Sequence, residues 1–422
     1  MREFIRGYWC ISKMHRIQRF CFNFSIKSIT NLNVTKNDLL SAIDDLECFE
    51  RSTRIFDRRK SFKYFQSQSL FILILNIIQA FHFLFLSITD NQTIILYLGD
   101  FFVPSSERKV LNYIVHCGIM MPCMVKIYLL HLVKLDRKSF LNIFDEYKSS
   151  LQNSNKKFSF PLKNEKLFRK SYYLFIKLYK YIFIGIFIIF SLLHFINIIH
   201  NYANMKHFIL QVIHMAILLT IYYPILASAL WFALITMIMG IFAYHAIDSL
   251  QTECDRLISV RSHTRHHAES FFHKHGLLNN WIDCINAQVA WIFITFYVYG
   301  AFHNILILFC LTQFEYDNLF VKMILSFANI LILIIIYGSN YAGTLIGQKA
   351  SILHRSIYRL SINTGKTFNL KKLQTLERLA ARKMGAYIGN YIYVGNYTTL
   401  LLTLECGSLY YLFCANINRS NM

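Results

Sequence analysis

Proline occurs four times and glycine fifteen times in 422 residues, and no low-complexity tail or internal repeat accompanies them. Charge is thin as well, at 16% of positions, too little to solvate the surface of an ordinary soluble chain of this length. The ten Cys follow no regular spacing, and no Cys-x-x-Cys occurs. Several lie within apolar runs, where a thiol behaves as a small hydrophobe. A disulfide framework and a zinc site are thereby excluded. There is no Gly-rich phosphate loop and no local Ser/His/Asp or Cys/His signature, so an enzyme is the least favoured class and no cofactor is expected. The first twenty-five residues carry a basic side chain every few positions and no apolar run long enough for a cleavable signal, which places the amino terminus in the cytosol.

What remains is apolar. Hydrophobic residues make up 55% of the chain, with 38 Phe, a composition typical of a polytopic membrane protein. Runs able to cross about 30 Å of hydrocarbon lie at roughly 69–88, 110–133, 181–199, 220–245, 288–312, 320–341 and 393–417. The expected fold is all-α with seven transmembrane helices. The tract 207–245 is long enough for nearly two spans and contains Pro224, but Lys and Arg argue for one. Basic residues number thirteen before the first span and then two, twelve, one, four, one, nine and one in successive segments, counting Lys322 at the start of the sixth span with the connection before it and leaving Lys126 inside the second helix. Under the positive-inside rule this alternation puts the amino terminus inside and the carboxyl terminus outside. An eighth span would move the segment with nine charges outside, so residues 207–219 are read as an outer lead-in to the fourth helix.

The net charge of +21 does not imply nucleic acid, because the basic residues fall in separated blocks and form no continuous surface. The orientation is the reverse of that in seven-helix receptors that signal through G proteins. No Asp-Arg-Tyr follows the third span and no Asn-Pro-x-x-Tyr lies in the last. A sequon, Asn91-Gln92-Thr93, falls in the first external loop and makes Asn91 a candidate glycosylation site. The tract VRSHTRHHAESFFHKHG holds His263, His266, His267, His273 and His275. No carboxylate or Cys completes a ligand set there, so it is read as a solvated helix face with no metal.

The expected organisation is a cytosolic arm (1–68), a six-helix ligand-sensing bundle with cytosolic helical extensions (69–341), cytosolic anchor helices (342–392), and a last helix with a short external tail (393–422). Ile247, Leu250, Cys254 and Leu257 continue the fourth helix at spacings of three and four, and Leu353, Ile357 and Leu360 continue the sixth. Leu370, Leu373, Leu376 and Leu379 form another stripe after a break at Gly365. Such stripes predict helices packed together below the membrane.

His116, His194, Asn197, Tyr222, Tyr223, Trp231, Tyr297 and His303 fall between mid-membrane and the outer surface, where polar and aromatic groups suit a small-molecule pocket between helices. In the last helix, a spacing of three and four runs from Thr398 through Glu405, Ser408 and Leu412 to Asn416, with Ile417 beside it. A charge at mid-bilayer costs several kcal/mol unless it meets protein or water. Glu405 therefore faces a partner such as Lys126, a neighbouring helix as a protonated carboxyl, or a water-filled pore. Around a central axis the stripe would line that pore, with Leu412 and Ile417 as apolar constrictions.

The carboxyl end resembles that of insect-type gustatory receptors, relatives of insect odorant receptors, whose seventh helix carries Thr-Tyr, five mostly apolar residues and then Gln-Phe. This chain has Leu409-Tyr410, then YLFCA, then Asn416-Ile417. Length, seven spans, a cytosolic amino terminus, short outer loops and long inner helices are also similar to that family, and KHGLLNNWIDCINAQVAWIFI adds a looser likeness. The resemblance implies a plasma-membrane cation channel of sensory neurons, opened by a small-molecule ligand and built as a homo- or hetero-tetramer with related receptor subunits in the lipid bilayer. It further implies an inner anchor segment near 369–390 and a pore-lining segment near 393–417. Asn416 and Ile417 would correspond to the family's Gln and Phe at the external constriction, and Tyr410 to its Tyr. Two alternatives stay open: an odorant-type subunit that needs a co-receptor, and a proton-coupled transporter using Glu405 and Lys126, which the absence of inverted repeats disfavours.

Overall fold

The computed structural model describes residues 33–53, 62–103, 107–134, 139–153, 165–201, 204–259, 265–314, 319–360, 366–388 and 392–420. Most of the basic amino-terminal arm, His263 and the break at Gly365 lie outside them. The first described helix, α1 (Lys36–Ser52), starts at a capping box: Asp38 N–H donates to Thr35 Oγ1 (3.2 Å) and Thr35 N–H to Asp38 Oδ2 (2.8 Å), which satisfies two otherwise orphaned donors.

Next come α2 (Phe62–Ile88), the short α3 (Gln92–Tyr97), α4 (Arg108–Lys134), α5 (Ser139–Gln152), α6 (Glu165–Asn201) and α7 (Met205–Ser259). The helix α8 (Arg265–Ile294) passes through a π-helical turn, Thr295–Tyr299, into α9 (Gly300–Gln313), and α10 (Leu319–Arg359) follows. Among the described residues six helical stretches are long and apolar enough to cross a membrane, Ser67–Ile88, Arg108–Leu132, Glu165–Ile199, Met205–Ser259, His266–Gln313 and Val321–Arg359, and the apolar stretch of the last helix, Leu400–Asn416, is shorter. Phe71, Ile74, Ile78, Phe81 and Phe85 form an uncovered apolar row on α2, as expected of a face that meets lipid.

The tract 207–245 lies within a single helix of 55 residues, about 80 Å long at 1.5 Å per residue. Pro224 sits inside α7 without ending it. The carboxyl-terminal end of this helix is a buried spine. Ile247, Leu250, Cys254 and Leu257 are covered, as are Leu353, Ile357 and Leu360 at the carboxyl-terminal end of α10. Lys349 Nζ joins the two helices by a 2.6 Å bond to Asp248.

After α10 come α11 (Lys366–Ala381), a two-stranded antiparallel hairpin of β1 (Tyr387–Ile388) and β2 (Ile392–Tyr393), and the last helix, α12 (Asn396–Ser420). The hairpin departs from the all-helical expectation and moves the start of the last helix from 393 to Asn396. Its position is fixed by Asn286 on α8, whose Nδ2 donates to the Gly385 carbonyl (2.8 Å) and whose Oδ1 accepts from the Tyr387 N–H (3.1 Å). Gly343 and Gly347, four apart on α10, let it approach closely. A Cβ at Gly343 would lie 2.7 Å from Val394 Cγ1, and one at Gly347 would collide with the Tyr393 hydroxyl. Small residues at this spacing are how membrane helices admit a neighbouring backbone. The α11 stripe is only half covered: Leu379 is buried, whereas Leu370 and Leu373 are exposed.

The amino-terminal arm holds more than the sequence indicates. Lys148 on α5 bonds Asp44 (2.8 Å) and Glu47 (2.6 Å) of α1, and Lys177 on α6 bonds Asp45 (3.4 Å). The α1 helix is therefore docked on the bundle.

Candidate ligand cavity and pore helix

A cavity of about 180 Å³ opens among α4, α6, α7, α9 and α10. Its walls are mostly Leu, Ile, Val and Phe, and no Asp, Glu, Lys or Arg lines it. Polarity is confined to His194, Tyr222 and His303, together with the backbone around Gly118. Pro122 explains why that backbone is available. With no N–H of its own, it leaves the carbonyl four residues earlier, that of Gly118, without a helical donor. The Tyr222 hydroxyl takes the place, donating to Gly118 O at 3.2 Å. His303 lies against the same residue: a Cβ at Gly118 would sit 3.3 Å from its Cε1.

The roof is Phe102, held by a polar knot centred on the fully buried Asp100. Asp100 Oδ1 accepts from the Phe102 N–H (2.9 Å). Its Oδ2 accepts from Arg108 Nη1 (2.8 Å) and Asn112 Nδ2 (3.0 Å). The Asp100 carbonyl accepts from Gln211 Nε2 (2.6 Å) and His207 Nε2 (3.2 Å) on α7, and Arg108 also donates to Leu86 O and Thr89 O at the end of α2. Burial pushes the Asp100 carboxyl up, although Arg108, the Phe102 amide and Asn112 each draw it down. Gly99 permits the turn into this knot with φ at 68° and no side chain to strike His214.

Of the eight residues expected in a pocket, the cavity gathers three: His194, Tyr222 and His303. The other five are placed elsewhere. Asn197 donates to Phe101 O (2.9 Å) and thus holds the roof from behind. His116 donates from Nδ1 to Ala80 O (2.8 Å), on the α2 side of α4. Tyr223 packs edge-on against Phe183 and Phe187 of α6. Tyr297, in the π-helical turn, donates to Asn340 Oδ1 at 2.6 Å. Trp231 lies about 13 Å further along α7 than Tyr222 and on the opposite face, since nine residues make two and a half turns. Its Nε1 donates to Glu50 Oε1 of α1 at 2.6 Å.

The last helix is built differently. Along α12, Leu402, Thr403, Cys406, Tyr410, Phe413 and Cys414 are partly covered, whereas Leu401, Glu405, Ser408, Leu412 and Asn416 are exposed. The covered side meets α9 and α10: Tyr410 and Thr312 hydroxyls lie 2.8 Å apart, and those of Thr403 and Tyr337 2.9 Å apart. Phe413 packs on Phe309 at 6.1 Å between ring centres. Among the described residues no side chain bonds the Glu405 carboxylate, and Lys126 is buried in α4 without reaching it.

Thr398 is a correction to the expected stripe. Its hydroxyl donates to Tyr393 O (2.6 Å) and accepts from the Gly395 N–H (3.4 Å), so it ties α12 to the hairpin. Ile417 lies within α12. Asn91 caps α3, its Oδ1 accepting from the Thr93 N–H at 3.0 Å, while its residue surface stays exposed. The residues that sequence reasoning missed are Asp100, Arg108, Phe102, Gly118 with Pro122, Asn286 and the Gly343/Gly347 pair. A Gly-x-x-x-Gly spacing and a lone Asp beside an Arg at a helix end were the available signals.

No protein-family model and no curated protein matches the sequence. The fold does match solved structures. The insect olfactory receptor OR5 from Machilis hrabei in complex with eugenol aligns with a TM-score of 0.62 at 10% identity, over 90% of this chain and 100% of that one. The same receptor, in a structure described without eugenol, aligns with a TM-score of 0.52 at 10% identity, over 88% of this chain and 98% of that one. The chain is thus a multi-pass helical membrane protein with the fold of the insect olfactory receptors.

Proposed function

We propose that this chain is a chemosensory receptor subunit of the gustatory type that acts as a ligand-gated, non-selective cation channel in the plasma membrane of sensory neurons. Its amino terminus is cytosolic and its carboxyl terminus external, in keeping with the alternating Lys and Arg counts. Four subunits, identical or related, surround a central pore lined by the face of α12 that carries Glu405, Ser408, Leu412 and Asn416. A small molecule in the outer cavity favours an arrangement with these helices splayed and so shifts an equilibrium between closed and open states. The path between the two sites runs along α10, which lines the cavity at Leu325 and Leu331 and cradles the hairpin at Gly343 and Gly347.

The observation that carries this reading is the bare face of α12. A carboxylate on an apolar helix, uncovered by its own subunit, needs water or another protein surface, and a hydrated pore between subunits provides both. Machilis hrabei OR5 has been solved with a small molecule, eugenol, which agrees with ligand binding in this fold. Patch recording from cells expressing only this chain, over a chemically broad panel, tests the proposal. Agonist-evoked cation current supports it. Current that appears only with a second subunit points instead to an odorant-type subunit. Proton-coupled uptake without channel openings contradicts it.

A further inference from the structure

We infer that a second cavity, at the foot of α12, is a regulatory site for a small phosphate-bearing anion held by Lys383 and Tyr393. Binding there is independent of the proposed channel activity; only its consequence for gating rests on α12 lining a pore.

This cavity, of about 290 Å³, lies between α10, the end of α11 and the hairpin. One face of α10 supplies Gln348, Ser351 and His354, and the facing wall supplies Lys383, Tyr393 and Gly395. No Asp or Glu lines it. The shortage of acid extends beyond the cavity: residues 342–395 hold nine Lys and Arg against one carboxylate, Glu377. The neighbouring cations are compensated by other elements. Lys349 bonds Asp248 at 2.6 Å, and Arg378 and Arg382 share Asp283 at 3.1 and 3.9 Å.

Lys383 is different. It is exposed and forms no ion pair among the described residues, and its ammonium lies 5.7 Å from the centre of the Tyr393 ring, a contact that supplies no hydrogen-bond acceptor. The Tyr393 hydroxyl is uncommitted as well. No described residue bonds it, and burial pushes its pKa up to about 12, so it stays an O–H donor at neutral pH. The missing side chain at Gly347 leaves it room.

Donors gathered with a net positive charge and no carboxylate call for an anion rich in acceptors, and phosphate oxygens meet a Lys ammonium and a hydroxyl together. A neutral polyol would satisfy the hydroxyl but leave Lys383 uncompensated, and a cation would find no counter-charge. Bound there, the anion joins α10 to Tyr393 and Gly395, which lead into α12, and so holds the foot of that helix as it stands in this structure.

The test uses the purified full chain in detergent at fixed ionic strength, with inorganic pyrophosphate, a short-chain phosphatidylinositol 4-phosphate and uncharged inositol as probes. Thermal stabilisation gives an apparent affinity for each. Stabilisation by pyrophosphate and the lipid identifies a free phosphate as sufficient, and stabilisation by the lipid alone identifies a headgroup; either supports the site. Lys383→Gln should weaken phosphate binding about tenfold or more, with Lys383→Arg restoring much of it and Tyr393→Phe giving a smaller loss. Lys371→Gln removes the same charge from an exposed position outside the cavity and should leave binding within about twofold. Equal losses in Lys383→Gln and Lys371→Gln would reduce the effect to diffuse attraction and overturn the inference. So would inositol stabilising the protein as well as the phosphates do, or no phosphate probe stabilising it at all.

Discussion

The bundle of α4, α6, α7, α9 and α10 around the cavity encloses its polar groups, whereas α12 leaves its own uncovered. In the first region donors from Arg108, Asn112, Gln211 and His207 converge on Asp100 within a single chain. In the second, Glu405, Ser408 and Asn416 are exposed. One region buries its polar groups within the chain and the other does not. That contrast is the physical basis of the proposal that ligand recognition belongs to the bundle of one chain and conduction to an axis shared by several.

The largest expected effect lies in the complete region. Replacing Asp100 with Ala strands Arg108 as a buried cation and frees Phe102, and breaking such a pair costs about 3–5 kcal/mol. Loss of surface expression and a marked fall in the detergent melting temperature are expected, with Asp100→Asn milder. Normal melting of Asp100→Ala would show that the roof is not held by this knot.

A smaller effect is expected where the two regions join. Gly347→Ala places a methyl group against the Tyr393 hydroxyl, an overpacking worth about 1–3 kcal/mol. Surface expression and ligand affinity should persist while agonist-evoked current falls, because the strain falls on the hairpin that carries α12. Reduced binding with normal gating would mean that the hairpin serves the cavity instead of the pore.

Trp231→Phe sharpens the comparison further. It keeps the ring and removes the hydrogen bond to Glu50, at a cost of about 1–3 kcal/mol. The loss should appear as a lower melting temperature with agonist potency unchanged, because this indole faces α1 and not the cavity. A potency shift comparable to that of a cavity variant would place the ligand deeper along α7.

The sequence made the membrane character plain because lipid selects for apolar length, which any linear reading sees. It made the inner spine plain as well, since Leu250, Cys254 and Leu257 recur at helical spacing and are buried where that spacing places them. Choosing the cavity residues was harder. Depth along a helix is linear in sequence, but direction turns by about 100° per residue. His116 and Gly118 lie at nearly one depth, yet only the second lines the cavity, and Tyr222 and its neighbour Tyr223 look towards different helices. The Asp100 knot escaped because its partners come from four separate elements, and the docking of α1 because its key bond spans Glu50 and Trp231, far apart in the chain. Thr398 shares the helical spacing of the stripe, but at the first turn of α12 its hydroxyl is drawn back to the hairpin.

The most direct measurement is single-channel recording of Glu405→Gln, which keeps the side-chain shape and removes the charge. If the exposed face of α12 lines the pore, cation conductance or divalent block should fall while agonist potency barely changes. Intact conductance and ion selectivity, accompanied by reduced surface expression, would make Glu405 a structural hydrogen-bonding group between subunits and contradict the assignment of the pore to this face.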